Sequence, residues 1–258
     1  MAELPSSARI ETSFDGEVAS VTLNHPPVNV IDFETISEIL LFIESLTNES
    51  RLCCVVLQGA GHVFSGGVDV AAHLPDTAQR MISEFHRVFE YLDDLAAPTV
   101  AVVRGPCMGG ACELAGYMDV VIATENAEFA LPEIKLGVFP PVAAALFPQR
   151  FRFQGAMQML LTGETINATE AVRAGLVSHL VPEEQLQQVL DELLRSFRSK
   201  SASSLRVAKR AVLQARGSFR SLVEPSERVY LEALMATADA VEGLEAFVEK
   251  REPIWGHA

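Results

Sequence analysis

Lysine is scarce in this chain. Only Lys135, Lys200, Lys209 and Lys250 occur among 258 residues, and acidic side chains outnumber basic ones 34 to 20. The formal net charge of -14 argues against nucleic acid or an anionic membrane surface as partner. It leaves room for a small anionic ligand held by local basic groups. Cysteine is sparse too: Cys53, Cys54, Cys107 and Cys112 form no C-x-x-C pair. Buried, reduced thiols are expected, with Cys53 and Cys54 on alternate faces of a strand. The N-terminus MAELPSSARIETSF shows no basic region followed by an apolar run, so a cytoplasmic location is expected. The longest apolar stretch, GVFPPVAAALFP, holds three prolines and is too short to span a bilayer. There is no G-x-G-x-x-G or G-x-x-x-x-G-K to cradle phosphates. There is no G-x-S-x-G, which leaves Ser65 a weak nucleophile candidate. No histidine-rich tract or metal-ligand cluster is apparent, and His62 and His86 read as surface or packing residues. No metal and no separate cofactor is expected.

What is present is alternation. Residues 9–24 read as a hairpin around Asp15-Gly16. Residues 32–48 carry the helical spacing Ile36, Ile39, Leu40, Ile43, Leu46. A buried strand follows at 53–59, a glycine-bearing loop at 62–70, a helix at 81–95 and a second buried strand at 98–105. A short helix at 109–116, a strand at 118–124 and a short extended EFALPE come next. From about 141 the pattern predicts helices alone, over 141–161, 168–174, 182–199 and 203–251. The fold class is therefore α/β, with parallel strands joined by crossover helices. One core domain over 1–200 and a helical C-terminal region over 201–258 are expected. The tail carries Leu244, Phe247 and Trp255, more apolar surface than a lone terminal helix buries, which points to packing on another subunit.

Three segments carry chemistry. FSGGVD (64–69) and RGPCMGGACE (104–113) each follow a buried strand and place glycines where backbone N–H groups are left free. One N–H from each can converge on a carbonyl oxygen as an oxyanion hole. The third, LPEIKLGVFPP (131–141), sets Glu133 behind Pro132, ordinarily the mark of a helix start. Each signal is weak alone. Order and spacing together are specific, and they place two carboxylates, Glu113 and Glu133, in apolar surroundings.

The three segments resemble the crotonase, or enoyl-CoA hydratase/isomerase, superfamily. FSGGVD is similar to its F-x-x-G-x-D loop. GPCMGGACELAGYMD is similar to its G-x-x-x-G-G-G-x-E-L-A-x-x-x-D block, with Ala111 in place of the third glycine. LPEIKLG and AFVEKREP match two further signatures, so the resemblance covers nearly the whole chain. It implies a spiral of repeated β-β-α units whose C-terminal helices form a homotrimer or a dimer of trimers. It implies an acyl-CoA thioester substrate whose oxygen is held by the N–H groups of Val68 and Gly110. Glu113 and Glu133 are the implied catalytic pair. Val28, Val30, Gly66, Asp69, Val70, Met108, Gly109, Pro132, Phe247 and Lys250 are the implied substrate contacts, the last two reaching an adjacent CoA site. Both carboxylates are kept, which favours hydration over isomerisation. The chemistry agrees. Addition of water to an enoyl thioester builds charge on the thioester oxygen, and two carboxylates with separated pKa values divide proton removal from proton donation. Glu113 is assigned to the water and the protonated Glu133 to carbon. An isomerase, and more remotely a non-catalytic acyl-CoA- or RNA-binding relative, are the competing readings.

Two departures bear on substrate. FPPVAAALFP (139–148) stands where typical hydratases carry P-G-x-G-G-T, which implies a reshaped acyl site. With HLPD (73–76) and SASSLR (201–206), it is similar to hydratases of cyclic dienoyl-CoA esters, the cyclohexa-1,5-diene-1-carbonyl-CoA hydratases. A general hydratase of straight-chain enoyl-CoA is the alternative. Ala71 stands where many relatives carry a phosphate-binding lysine, leaving Arg104, His25 or Lys250 as candidates for the CoA phosphates.

Overall fold

The computed structural model describes residues 9–257. Strands β1 (Ile10–Phe14) and β2 (Val18–Leu23) form the hairpin, with the Asp15 carboxylate accepting from the Val18 N–H at 2.8 Å. Strands β3 (Cys54–Gly59), β4 (Thr99–Val103), β6 (Val120–Thr124) and β9 (His179–Val181) extend it into a six-stranded sheet, order β1-β2-β3-β4-β6-β9. Within this sheet only the β1–β2 pair is antiparallel. The inner strands read as unbroken apolar runs because both faces of this sheet are covered. On one face Cys54, Val56, Val100, Val102 and Ile122 pack beneath α7 (Leu186–Arg198) and α8 (Ala202–Arg216). The other face joins the main core. Cys53 packs on the same side as Cys54, because it lies just ahead of the strand and the alternation expected of the pair does not apply.

A smaller sheet, order β5-β7-β8, lies at the C-terminal ends of the large one: β5 (Pro106–Met108), β7 (Glu128–Ala130) and β8 (Ile166–Asn167). Each repeat leaves the large sheet, turns, and adds an extended segment to the small one: β4 into β5, β6 into β7, and β3 into Ser65, which bridges to Cys107. Gly105 makes such a turn possible, since a Cβ there would sit 1.9 Å from the His62 carbonyl oxygen. This winding is the crotonase-like spiral.

The expectation of helices alone beyond 141 is corrected by β8 and β9. They are two and three residues long, too short to register an alternating pattern. The long helix expected over 141–161 is also two, α4 (Pro141–Arg150) and α5 (Phe153–Thr162). The remaining helices are α1 (Phe33–Ser45), α2 (Ala78–Leu95), α3 (Gly110–Tyr117), α6 (Ala168–Ala174), α9 (Phe219–Arg228) and α10 (Ala238–Val248). The tail does not project from the core. Lys209 of α8 binds Asp119 at 2.7 Å, and Arg216 binds Asp93 at 3.0 Å. Leu244 of α10 is fully buried within its own chain, whereas Phe247, Val248 and Ile254 stay exposed. No helix among the described residues is long and apolar enough to cross a membrane.

Candidate active site

The site lies where the two sheets diverge, and glycines decide its geometry. Gly67 has φ +102°, and a Cβ on it would meet the Met108 carbonyl oxygen at 2.8 Å. The loop 64–69 can therefore lie directly on β5. Ile31 bridges Val68: the Ile31 N–H donates to Gly67 O and the Asp69 N–H donates to Ile31 O. That pattern leaves the Val68 N–H out. Across from it, Gly110 opens α3, and a Cβ on Gly110 would stand 2.6 Å from Val68 Cγ2. Neither the Val68 nor the Gly110 N–H has an acceptor among the described residues. Two free donors from separate segments thus sit side by side at a helix N-terminus.

All eight residues of α3 are buried, Glu113 among them. Gly116 lets α3 press against Phe147 of α4, where an added Cβ would fall 2.6 Å from the ring. This contact brings Glu113 under the start of α4. Its Oε1 accepts from the Ala143 N–H at 2.8 Å, and the Val142 N–H is directed at the same carboxylate. The segment FPPVAAA thereby acquires a function: Pro141 begins a helix whose first N–H groups hold Glu113. Glu133 arrives from the 3-10 turn Pro132–Leu136. Its Oε1 would lie 2.7 Å from a Cβ on Gly109, a residue with φ +56°. Its Oε2 is buried with no hydrogen-bond partner.

Burial raises both carboxyls, Glu113 to about 7 and Glu133 to about 8. For Glu133 the negative charge of Glu113 adds to desolvation, and the α4 N–H groups hold Glu113 the lower of the two. As pH rises, Glu113 ionises first, while Glu133 keeps its proton.

Two small chambers meet at this pair. The outer, about 50 Å³, is lined by Gly66, Val68, Val70, Gly109, Gly110, Pro132 and Glu133, together with His73, Leu136, Val138 and Leu244. The inner, about 20 Å³, adds Glu113, Phe85, His86, Phe139, Pro140, Pro141 and Tyr230. The inner volume is close to the room one water needs. A larger cleft of about 390 Å³ lies on the surface by Arg152, Gln158 and Arg173. It holds no buried titratable group, and the chemistry lies elsewhere.

Of the residues singled out from the sequence, Gly66, Val68, Val70, Gly109, Gly110, Glu113, Pro132 and Glu133 are brought together. Val28 is exposed at the rim, its carbonyl accepting the Gly66 N–H at 2.7 Å. Val30 O accepts from His25 Nδ1 at 3.0 Å. The Asp69 carboxylate caps the 3-10 turn Val70–His73 through the Ala71 N–H at 3.1 Å. The Met108 N–H pairs with Ser65 O. Phe247 and Lys250 are exposed at the far end of α10, outside the chambers of their own chain. Arg104 lies 3.3 Å from both Gln58 and Glu183.

Four contributors were not among the site residues expected from the sequence. Leu244 and Tyr230 reach the site from the tail. α10 packs on the turn 132–136 so closely that a Cβ on Gly243 would lie 2.3 Å from Leu136 O. His86 is buried, the packing alternative of the sequence reading, and its Nδ1 lies 3.3 Å from Glu227. His73 Nδ1 donates to Asp69 O at 3.0 Å, and burial lowers its pKa, so the ring is a neutral wall.

The model of the family described as enoyl-CoA hydratase/isomerase matches residues 13–258. The chain is 34% identical over 258 residues, 99% of each protein, to a cyclohexa-1,5-dienecarbonyl-CoA hydratase of Thauera aromatica. It is 35% identical over 246 residues, 94% of this chain and 96% of the other, to a probable enoyl-CoA hydratase of Mycobacterium bovis. Among solved structures, an enoyl-CoA hydratase from Mycobacterium avium subsp. paratuberculosis superposes with a TM-score of 0.83 at 30% identity, over 96% of this chain and 98% of that one.

Proposed function

The chain belongs to the enoyl-CoA hydratase/isomerase family, and from that premise we propose that it adds water to a C=C bond conjugated to a CoA thioester. The observation that carries this reading is the pair of buried carboxylates with pKa values raised to about 7 and about 8, sharing one small chamber beside two unpaired N–H donors. The thioester oxygen sits against the Val68 and Gly110 N–H groups, which stabilise charge as it develops. Ionised Glu113 takes a proton from water as its oxygen bonds to the alkene carbon. Protonated Glu133 then delivers a proton to the carbon next to the thioester. An isomerase moves one proton between two carbons, which a single carboxylate can do; a second carboxylate in the same chamber suits the activation of a water. No cofactor is needed beyond the CoA the substrate carries.

For the acyl group we propose a cyclic dienoyl-CoA. The helix start at Pro141 makes one wall of the inner chamber rigid, with Phe139 and Pro140 beside it. A relative matched over its whole length is named for a cyclohexadienecarbonyl-CoA. The comparable likeness to a relative named simply as an enoyl-CoA hydratase keeps straight-chain substrates as the second reading. Exposed Val207 and Val212 on α8, with Phe247, Val248 and Ile254, suit burial in a homotrimer or dimer of trimers, which sedimentation mass reads out. The substrate test is a spectrophotometric assay with cyclohexa-1,5-diene-1-carbonyl-CoA and crotonyl-CoA side by side. Loss of diene absorbance with little crotonyl-CoA turnover is expected. Fast crotonyl-CoA hydration overturns the cyclic assignment, and silence on both overturns hydration.

A further inference from the structure

Tyr230 is the largest fully buried side chain among the described residues, 1% exposed, yet its hydroxyl has no hydrogen-bond partner among them. A buried O–H left unpaired destabilises a fold and calls for a reason. A phenylalanine would fill the same space without that cost. The ring meets Phe139 edge-on at 5.4 Å between centroids. The backbone here is also irregular. Tyr230 lies in a π-helical stretch, Val229–Leu234, where the Met235 N–H reaches back to Tyr230 O at 3.0 Å. Such a widened turn re-aims side chains and recurs at functional sites.

Tyr230 lines the inner chamber with Glu113 and Glu133, and its phenol is close enough to feel both carboxyls. Burial first, and then the neighbouring acidic groups, hold its pKa above the ordinary tyrosine value, so it stays protonated. Glu133 Oε2 is the other unpaired buried atom there. The residues that carry these two orphaned polar atoms line the same chamber of about 20 Å³ as Glu113, and a water held in such a space needs two to four polar partners.

Resting on the hydratase reading, we propose that Tyr230 is a third catalytic group, whose oxygen accepts the O–H of the attacking water that is not transferred. The balance is simple. Water gives one proton to the Glu113 carboxylate as its oxygen bonds to the alkene carbon. The alkene electron pair moves toward the thioester, and the carbon next to it takes the proton of Glu133. The second O–H, held on Tyr230, remains as the product hydroxyl. Glu113 and Glu133 end with protonation exchanged and return through proton transfer.

The experiment compares wild type and Tyr230→Phe in two assays. One is hydration of the substrate that the assays above identify. The other is exchange of the α-proton of a saturated acyl-CoA in D2O, which uses Glu133 and the N–H donors but no attacking water. Because the hydroxyl has no protein partner, the variant is expected to fold with an unchanged melting temperature or a higher one. Hydration kcat falls about tenfold, the effect of one hydrogen bond to a reacting group, with KM within about twofold and α-exchange unchanged. Unchanged hydration refutes this role while leaving the hydratase reading intact. An equal fall in both assays also refutes it, showing a structural role. A wild type silent in both assays refutes the hydratase reading and the role together.

Discussion

Replacing Glu113 by glutamine tests the division of labour directly. Glutamine keeps the size of the side chain, and its carbonyl oxygen can still accept the Ala143 N–H. What is lost is the charge and the ability to take a proton. In the wild type the productive state is ionised Glu113 with protonated Glu133. With the two groups at about 7 and about 8, kcat/KM rises as Glu113 loses its proton and falls as Glu133 loses its own. The productive pair is then most populated between the two values and is depleted on both the acid and the alkaline side. The expected profile is a bell. In the glutamine variant hydration drops by about 10²–10⁴. The acid limb of the residual activity disappears, since no base remains to ionise. The alkaline limb moves to lower pH, because the neighbouring charge that raises Glu133 is gone. The assay is kcat/KM from pH 5.5 to 9.5 for both proteins, because kcat/KM reports the free enzyme. A flat wild-type profile refutes the reasoning. So does a variant retaining more than about a tenth of wild-type activity, since general catalysis by Glu113 is then absent.

The same carboxyls weigh on stability. The carboxyl of Glu133 is raised in the folded state from 4.5 to about 8, so its contribution to folding is fully present below about pH 4.5 and lost as pH climbs through about 8. Glu133→Gln removes this penalty, on the order of 3–5 kcal/mol in alkaline solution. Its Tm is expected above wild type at pH 8.5 and close to it at pH 4.5, as thermal melts at the two pH values check. Gly109→Ala places a methyl 2.7 Å from Glu133 Oε1 at φ +56°. It is expected to cost about 1–2 kcal/mol of stability and at least tenfold in kcat/KM by displacing the acid; equal kcat/KM, measured at saturating stability, refutes the close approach.

By itself, the sequence determined the elements whose signals are local. The Asp15-Gly16 turn, the apolar runs of β3 and β4 and the helical spacing of 32–48 all depend on neighbours along the chain. So do the glycines of FSGGVD and MGGACE, whose conformations follow from having no side chain. The pairing of Glu113 with Glu133 was implied by the family resemblance, which the order and spacing of the three motifs carry together. Tertiary structure alone decided the rest. β8 and β9 exist because an edge of a sheet was there to receive two or three residues. The same holds for the rank of the two carboxyls, which depends on α4 turning its first N–H groups toward Glu113, a contact spanning 30 residues. Leu244 and Tyr230 join the site only because the tail folds back over its own core. Their burial depends on surfaces far away along the chain, such as Phe139 against Tyr230, about which their sequence neighbours carry no information.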